Sequence, residues 1–236
     1  MRASSLMVAE ILELIREKVK PGVTTIELND LAESEAVRRG ARAAFKGYSG
    51  YRYSLCCSVN SQVIHGLPSK RKLLEGDILS VDFGIVKDGY YGDAALTIPV
   101  GRITDAAQRL LTITNESLYV AIEYARPGNR LSDISHAVQS YVEARGYSVV
   151  REFVGHGIGR KLHESPQIPN YGPPGKGVRL KPGMVLAIEP MINEKGHAVS
   201  VLEDGWTTVT CDGGLSAHFE HTVAVTINGP DILTKL

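Results

Sequence analysis

Asp82 and Asp93 flank the turn of the segment ILSVDFGIVKDGYYGDAAL, eleven residues apart. Two antiparallel strands joined by a short even-length loop point residues spaced in this way to one face. Both aspartates sit among apolar neighbours, Val81 and Phe83 around one, Ala94 and Ala95 beside the other. A buried, uncompensated carboxylate costs roughly several kcal/mol, so two on one buried face need a partner. For this hairpin alone, a salt bridge or a turn cap would suffice. Three further polar residues have the same apolar framing: Glu189 in VLAIEPM, Glu220 in SAHFEHTVAV and His156 in FVGHGIGR. Singly, each reads as an edge residue or a satisfied core histidine. Gly155, Gly157 and Gly159 around His156 permit close backbone approach or positive φ. Taken together, the four carboxylates carry a charge that two divalent cations cancel. One imidazole among oxygen ligands suits Mn, Fe, Co or Zn better than Ca or Mg. Two such cations about 3.5–4 Å apart can share a bridging carboxylate and activate a water. The chemistry indicated is hydrolysis.

The elements that must hold these residues come from an internal repeat. Residues 11–41 lie over 117–147 without a gap: Leu12, Glu17, Pro21, Gly22, Ser34, Arg39 and Gly40 meet Leu118, Glu123, Pro127, Gly128, Ser140, Arg145 and Gly146. Residues 72–84 lie over 179–191, so Asp82 faces Glu189 and both halves aim a carboxylate at one centre. A period near half the chain indicates duplication of an α/β unit, not a solenoid. Each half opens with a helix of apolar 3–4 spacing: Val8, Ile11, Leu12, Ile15 and Val19 in one, Leu110, Leu111, Leu118, Ala121 and Ala125 in the other. A Pro-Gly pair stops it. A second helix follows, begun by a Thr24–Glu27 capping box in one half and by Ser132 with Asp133 in the other. Its core face is Leu28, Leu31, Ala32 and Val37, matched by Ile134, Ala137, Val138 and Tyr141. Strands are expected over 54–66, 78–98, 150–154, 185–193, 198–210 and 217–227, separated by turns such as Lys87-Asp88-Gly89 and Asp212-Gly213-Gly214. Six of the eleven prolines lie between 166 and 190, which reads as a rigid loop. The class is α+β: two pairs of helices over one curved, mainly antiparallel sheet with a pseudo-twofold. One catalytic domain spans 1–236, with halves of about 1–100 and 101–236.

The 236 residues are 43% apolar and 22% charged, with 26 basic and 26 acidic side chains. Zero net charge without a basic run argues against a specific nucleic-acid partner. No apolar stretch approaches the ~20 residues of a membrane helix, and MRASSLMVAEILELIREK reads as an amphipathic helix, not a signal peptide. Three cysteines, with Cys56 and Cys57 adjacent, suit no disulfide framework and read as buried small apolar side chains in a reduced, cytoplasmic protein.

VDFG, YYGDAA, GHGIGRKLHESPQIPNYG, AIEPM and AHFEHTVAV, in this order, resemble the motifs of the type I methionine aminopeptidases, which have the pita-bread fold. The resemblance covers essentially the whole chain. It implies that Asp82, Asp93, His156, Glu189 and Glu220 hold two divalent ions (Co, Mn, Fe or Zn), with Asp93 and Glu220 bridging, Asp82 on one ion, and His156 with Glu189 on the other. It implies substrate contacts from His65 in VIHGLP and His163 in KLHES, and a proton-shuttling role for Glu189. The methionine pocket maps to Phe45, Tyr48, Tyr51, Cys56, His65, Leu162 and Trp206, an aromatic wall suited to a soft thioether. A monovalent cation near Asn60, Gln62 and Ser216 is also implied. The implied activity removes an N-terminal methionine before a small second residue, on nascent polypeptides and at the ribosome, by a monomer. Family members carry extra residues ahead of the position of Met1, so a short first helix is expected here. Phe45 and Leu162 stand where the family varies.

Three other readings remain. An X-Pro-cleaving aminopeptidase of the same fold normally carries a large N-terminal domain. A non-enzymatic pita-bread binding module would have lost ligands, and all five stand here. A structural or storage metal site would close its coordination, whereas this set leaves room for water.

Overall fold

The computed structural model describes residues 1–236. Four helices, α1 (Arg2–Lys18), α2 (Thr25–Arg38), α3 (Asp105–Ile122) and α4 (Leu131–Glu143), accompany fifteen strands. The strands are β1 (Arg42–Ala43), β2 (Cys56–Val59), β3 (Gln62–Ile64), β4 (Ile78–Lys87), β5 (Tyr90–Pro99), β6 (Ser148–Val149), β7 (Gly155–Gly157), β8 (Glu164–Ile168), β9 (Val185–Ile188), β10 (Met191–Asn193), β11 (Val199–Val201), β12 (Thr208–Thr210), β13 (Ser216–His218), β14 (Glu220–Thr226) and β15 (Gly229–Ile232). The main sheet runs β1-β4-β5-β14-β9-β7-β8, with β2 also on β4 and β15 also on β14; every pairing is antiparallel. Two three-stranded sheets, β13-β10-β6 and β11-β12-β3, flank it, where a single sheet was expected.

The duplication is visible in the hydrogen bonds. Thr24 bridges Lys72 in the first half and Arg130 bridges Arg179 in the second, at repeat-equivalent positions. Leu73 N–H donates to Val23 C=O (2.8 Å), and Leu180 N–H donates to Asn129 C=O (2.9 Å). Gly22 and Gly128, after the first helix of each half, share a φ of 92°, a left-handed conformation that a side chain disfavours. Each helix pair covers its own apolar core, one built from α1, α2, β2, β4 and β5, the other mainly from α3, α4, β9 and β14.

Period-2 alternation decides what lies opposite the helices. In β4, Leu79, Val81, Phe83 and Ile85 face the first core; Ser80, Asp82 and Gly84 face away. In β5, Ala94 and Ile98 join that core, which turns Asp93, Ala95 and Thr97 to the other face. Val223 and Val225 of β14 and Leu186 and Ile188 of β9 do the same in the second half.

Several sequence expectations are corrected. The first helix is not short: it runs 17 residues and buries Val8, Ile11, Leu12 and Ile15. In α4 the cap is the Asp133 carboxylate accepting Arg130 N–H (2.7 Å), while Ser132 Oγ accepts Lys176 N–H (2.6 Å) from the facing loop. Val37 is 67% exposed, because Ala36 takes the inward position. Tyr141 is half-buried and donates to Glu116 Oε2 (2.6 Å). Expected strands 54–66, 198–210 and 217–227 are interrupted, and 185–193 breaks at Glu189-Pro190. Strand pairing sits at 148–149 and 155–157, not at 150–154. The Pro-rich segment holds part of β8 as well as loop. Cys56 and Cys57 are buried, and Cys211 is exposed. No helix is long and apolar enough to cross a membrane.

Candidate metal centre and substrate pocket

Two cross-strand rows carry the polar cluster. In one, Cys56 faces Asp82, Asp82 faces Ala95, and Ala95 faces Glu220. In the next, Gly84 faces Asp93, and Ala187 faces His156 two strands further on. Residues directly opposite or diagonal on one face lie within side-chain reach. Asp82 and Asp93 thus reach across a two-residue turn, Asp88-Gly89, whose φ angles are both positive (52° and 77°) as a tight hairpin requires. Glu189 follows β9 directly, on the same face as Ala187. Gly84 is dictated by close approach: a Cβ there would lie 2.9 Å from Phe45 Cε1 and 3.1 Å from Asp93 Oδ1. The glycines flanking His156 serve the same end, since a Cβ on Gly155 would stand 2.4 Å from the Ala187 carbonyl oxygen.

Ligand atoms of Asp93, His156 and Glu220 lie within 4.8 Å of one another, and all three residues are buried. His156 Nε2 is 3.6 Å from Glu189 Oε1. His156 Nδ1 contacts the Gly157 carbonyl oxygen (2.9 Å), which directs Nε2 to the cluster. Oδ1 of Asp82, Oδ1 of Asp93 and Oε1 of Glu220 are buried without a hydrogen-bond partner. Burial raises all four carboxyls: Asp82 to about 7, and Asp93, Glu189 and Glu220 well above the carboxylate range, the last three pushed further by neighbouring carboxylates that in each case include Asp82. Burial, and then the neighbouring His163, lowers His156 to about 4. Orphaned carboxylate oxygens converging with an imidazole nitrogen fit a divalent cation, which would replace the missing partners and offset the mutual repulsion.

An apolar pocket opens directly off this cluster. One cavity of about 200 Å³ takes in Asp82, Asp93, His156, Glu189 and Glu220 together with Phe45, Tyr48, Tyr51, Cys56, His65, Leu162, His163 and Trp206. All thirteen residues singled out from the sequence therefore meet in one space, joined by Ser49. Tyr51 packs edge-on to Trp206, ring centres 5.0 Å apart, and donates to the carbonyls of Leu55 and Gly66. His65 adopts a left-handed φ of 58° at the end of β3, and burial lowers it to about 4. His163 Nδ1 meets the Tyr48 hydroxyl at 2.7 Å, and its ring stands 4.3 Å from that of His156. Away from the cavity, the Asn60 carbonyl accepts Ser216 N–H (2.9 Å).

His218 was not singled out. Its Nε2 lies buried, without a hydrogen-bond partner, 3.7 Å from Glu189 Oε2. His218 ends β13 and Glu220 begins β14, with Phe219 breaking the strand between them, so strand alternation did not mark it.

The profile of metallopeptidase family M24 matches residues 1–227. Methionine aminopeptidase 1 of Bacillus subtilis is 54% identical over 236 residues, covering 100% of this chain and 95% of that relative. A crystal structure of the methionine aminopeptidase of Thermotoga maritima superposes with a TM-score of 0.98 at 50% identity, covering 100% of this chain and 95% of that one. The prolidase of Pyrococcus horikoshii shares the fold alone, at a TM-score of 0.80 and 23% identity, and this chain covers 60% of it. Match, identity and coverage agree with the geometry of the cluster: the chain belongs to metallopeptidase family M24 and, within it, to the methionine aminopeptidases.

Proposed function

We propose that this chain is a metal-dependent aminopeptidase that removes an N-terminal methionine when the second residue is small. The observation that carries the reading is the union, in one small cavity, of a carboxylate–imidazole cluster with an aromatic and apolar pocket. Asp82, Asp93, His156, Glu189 and Glu220 would hold two divalent ions (Co, Mn, Fe or Zn). Such ions supply Lewis acidity and ready deprotonation of water. The cavity falls below the roughly 300–1,000 Å³ of drug-sized sites, in keeping with one side chain and its backbone. Phe45, Tyr51, Cys56, Leu162 and Trp206 receive the methionine side chain, a soft thioether that aromatic edges favour. The Tyr48 hydroxyl engages His163 Nδ1 and leaves Nε2 for the substrate. His65 and His163 hydrogen-bond the scissile carbonyl as it becomes tetrahedral. Glu189 carries the proton from the attacking water to the leaving amine. The Tyr48–His163 pair narrows the approach and limits the second residue.

The whole chain, 1–236, acts as one catalytic unit with halves of about 1–100 and 101–236. Its substrates are the N-termini of nascent polypeptides in the cytoplasm, met at the ribosome by a monomer, and a monovalent cation binds near Asn60, Gln62 and Ser216. The X-Pro reading is disfavoured because the prolidase likeness extends to the fold alone. The assay that tests the proposal compares Met-Ala-Ser, Met-Arg-Ser and Ala-Pro-Gly peptides with and without chelator. Cleavage of Met-Ala-Ser alone, lost in chelator, is expected. Equal cleavage of Met-Arg-Ser overturns the size limit, and preferential cleavage of Ala-Pro-Gly overturns the substrate assignment.

A further inference from the structure

The two halves meet along β5 and β14, and the backbone ladder between these strands is two residues long: Ala94 with His221 and Ala95 with Glu220. The same register continued in either direction sets Asp93 opposite Thr222 and Thr97 opposite His218. At both positions a threonine hydroxyl stands where the ladder bonds would be. Thr222 Oγ1 accepts Asp93 N–H (3.1 Å) and donates to Asp93 C=O (2.7 Å). Thr97 Oγ1 accepts His218 N–H (2.9 Å) and donates to His218 C=O (2.9 Å). The clasps are reciprocal, one hydroxyl offered by each strand, and all four residues are buried.

Thr222 has a reason to use its side chain. Its backbone N–H donates to Thr234 Oγ1 (3.2 Å), and its C=O accepts Leu233 N–H (2.9 Å), so its main chain belongs to the C-terminal segment. At this residue the edge of β14 passes from β5 to β15. Only the hydroxyl can then satisfy both buried backbone groups of Asp93, which would otherwise be left unpaired. Thr97 is braced in turn by Ser80 Oγ at 2.8 Å. Asp93 comes from the first half and Glu220 from the second, so the seam sets the distance between their carboxylates.

We infer that Thr222 and Thr97 are positioning residues whose hydroxyls, bridging the ends of the β5–β14 ladder, hold Asp93 and Glu220 at the spacing that binds a divalent metal. The inference rests on the proposed reading of Asp93 and Glu220 as ligands. Groups that orient ligands typically change metal affinity about 10–100-fold when removed.

The test is calorimetric titration of Mn²⁺ into the full chain after chelator has been dialysed away. Thr222→Val, which keeps shape and loses the hydroxyl, is expected to weaken Mn²⁺ binding about 10–100-fold, with Thr222→Ser restoring it to within about threefold. Thr226→Val serves as the control, because it removes a hydroxyl on the same strand that donates to Gly229 C=O (2.8 Å) outside the seam. It should leave Mn²⁺ affinity unchanged. Unchanged affinity in Thr222→Val, or equal weakening in Thr226→Val, overturns the clasp while the metal site stands. A wild-type chain that takes up no Mn²⁺ overturns the metal reading and the clasp with it. If Thr222→Val does not fold, Thr97→Val decides on the same scale: weakening of about tenfold supports the clasp and unchanged affinity overturns it.

Discussion

Asp82 and Glu220 stand in one cross-strand row, separated by a single residue, Ala95. They belong to different halves of the chain, and only the methyl group of Ala95 stands between them in the row. Ala95 is buried on the cavity face of β5.

Ala95→Leu should therefore abolish metal uptake by placing an isobutyl group between the two carboxylates. Metal content after dialysis against Mn²⁺ is expected to fall at least about tenfold, since ligands displaced from their geometry lose affinity steeply. Circular dichroism should show the fold retained. Full metal content in this variant would show that the row does not set the carboxylate spacing.

The metal-free protein should lose stability as pH rises above 6.5. A carboxyl with a raised folded pKa binds more protons folded than unfolded, so its contribution is complete below the unfolded value and disappears through the folded value. Asp82, raised to about 7, completes its loss near neutrality, and Asp93, Glu189 and Glu220, raised well above the carboxylate range, carry the decline on through it. His65 and His156, both near 4, and His218 near 3 act in the opposite sense, but only below the ordinary histidine value of about 6.5. In chelator, melting temperature should decline from pH 6.5 to 8, and saturating Mn²⁺ should remove the decline. A rise over that interval in chelator would contradict the charge cluster.

Glu189→Gln deletes one of the crowded charges. In chelator it should melt at or above the wild-type temperature; with saturating metal it should melt below it. At a hundredfold excess over Kd, metal contributes about 2.7 kcal/mol, equivalent to about 5–10 °C for a chain of this size. Thermal melts of both proteins in both conditions check this, and a variant less stable in chelator as well would contradict it.

His163→Ala should slow turnover about 10²–10³-fold while metal content holds, because a substrate hydrogen bond is lost and all five proposed ligands remain. Loss of metal would instead place His163 among the ligands. Tyr48→Phe removes only the bond to His163 Nδ1 and should cost less.

The residues of the cluster were legible because each is a polar break in an apolar, period-2 run, and such a break on a buried strand needs a reason. The helices were legible from their 3–4 spacing and from the Thr24–Glu27 box, which forms as expected. Thr97, Thr222 and His218 were not. Their work depends on the register between β5 and β14, strands joined by more than a hundred intervening residues, and a threonine in a strand looks like ordinary β-sheet filler. Val37 misled because Ala36, one position earlier, points at the core with a smaller side chain.

The place of β14 has a consequence for the order of assembly. This strand is the fourteenth of fifteen in sequence, yet it lies between β5 and β9 in the sheet and brings Glu220 with it. A chain emerging from the ribosome through residue 215 has both helix pairs but leaves the facing edges of β5 and β9 bare. Until β14 arrives, those edges are open to pairing with other chains. The carboxylate–imidazole cluster is thus completed only by the step that closes the sheet, and closure across so long a sequence separation is intrinsically slow. Helix pairs that gain hydrogen-exchange protection before β5 and β9 during refolding would be the signature of that order.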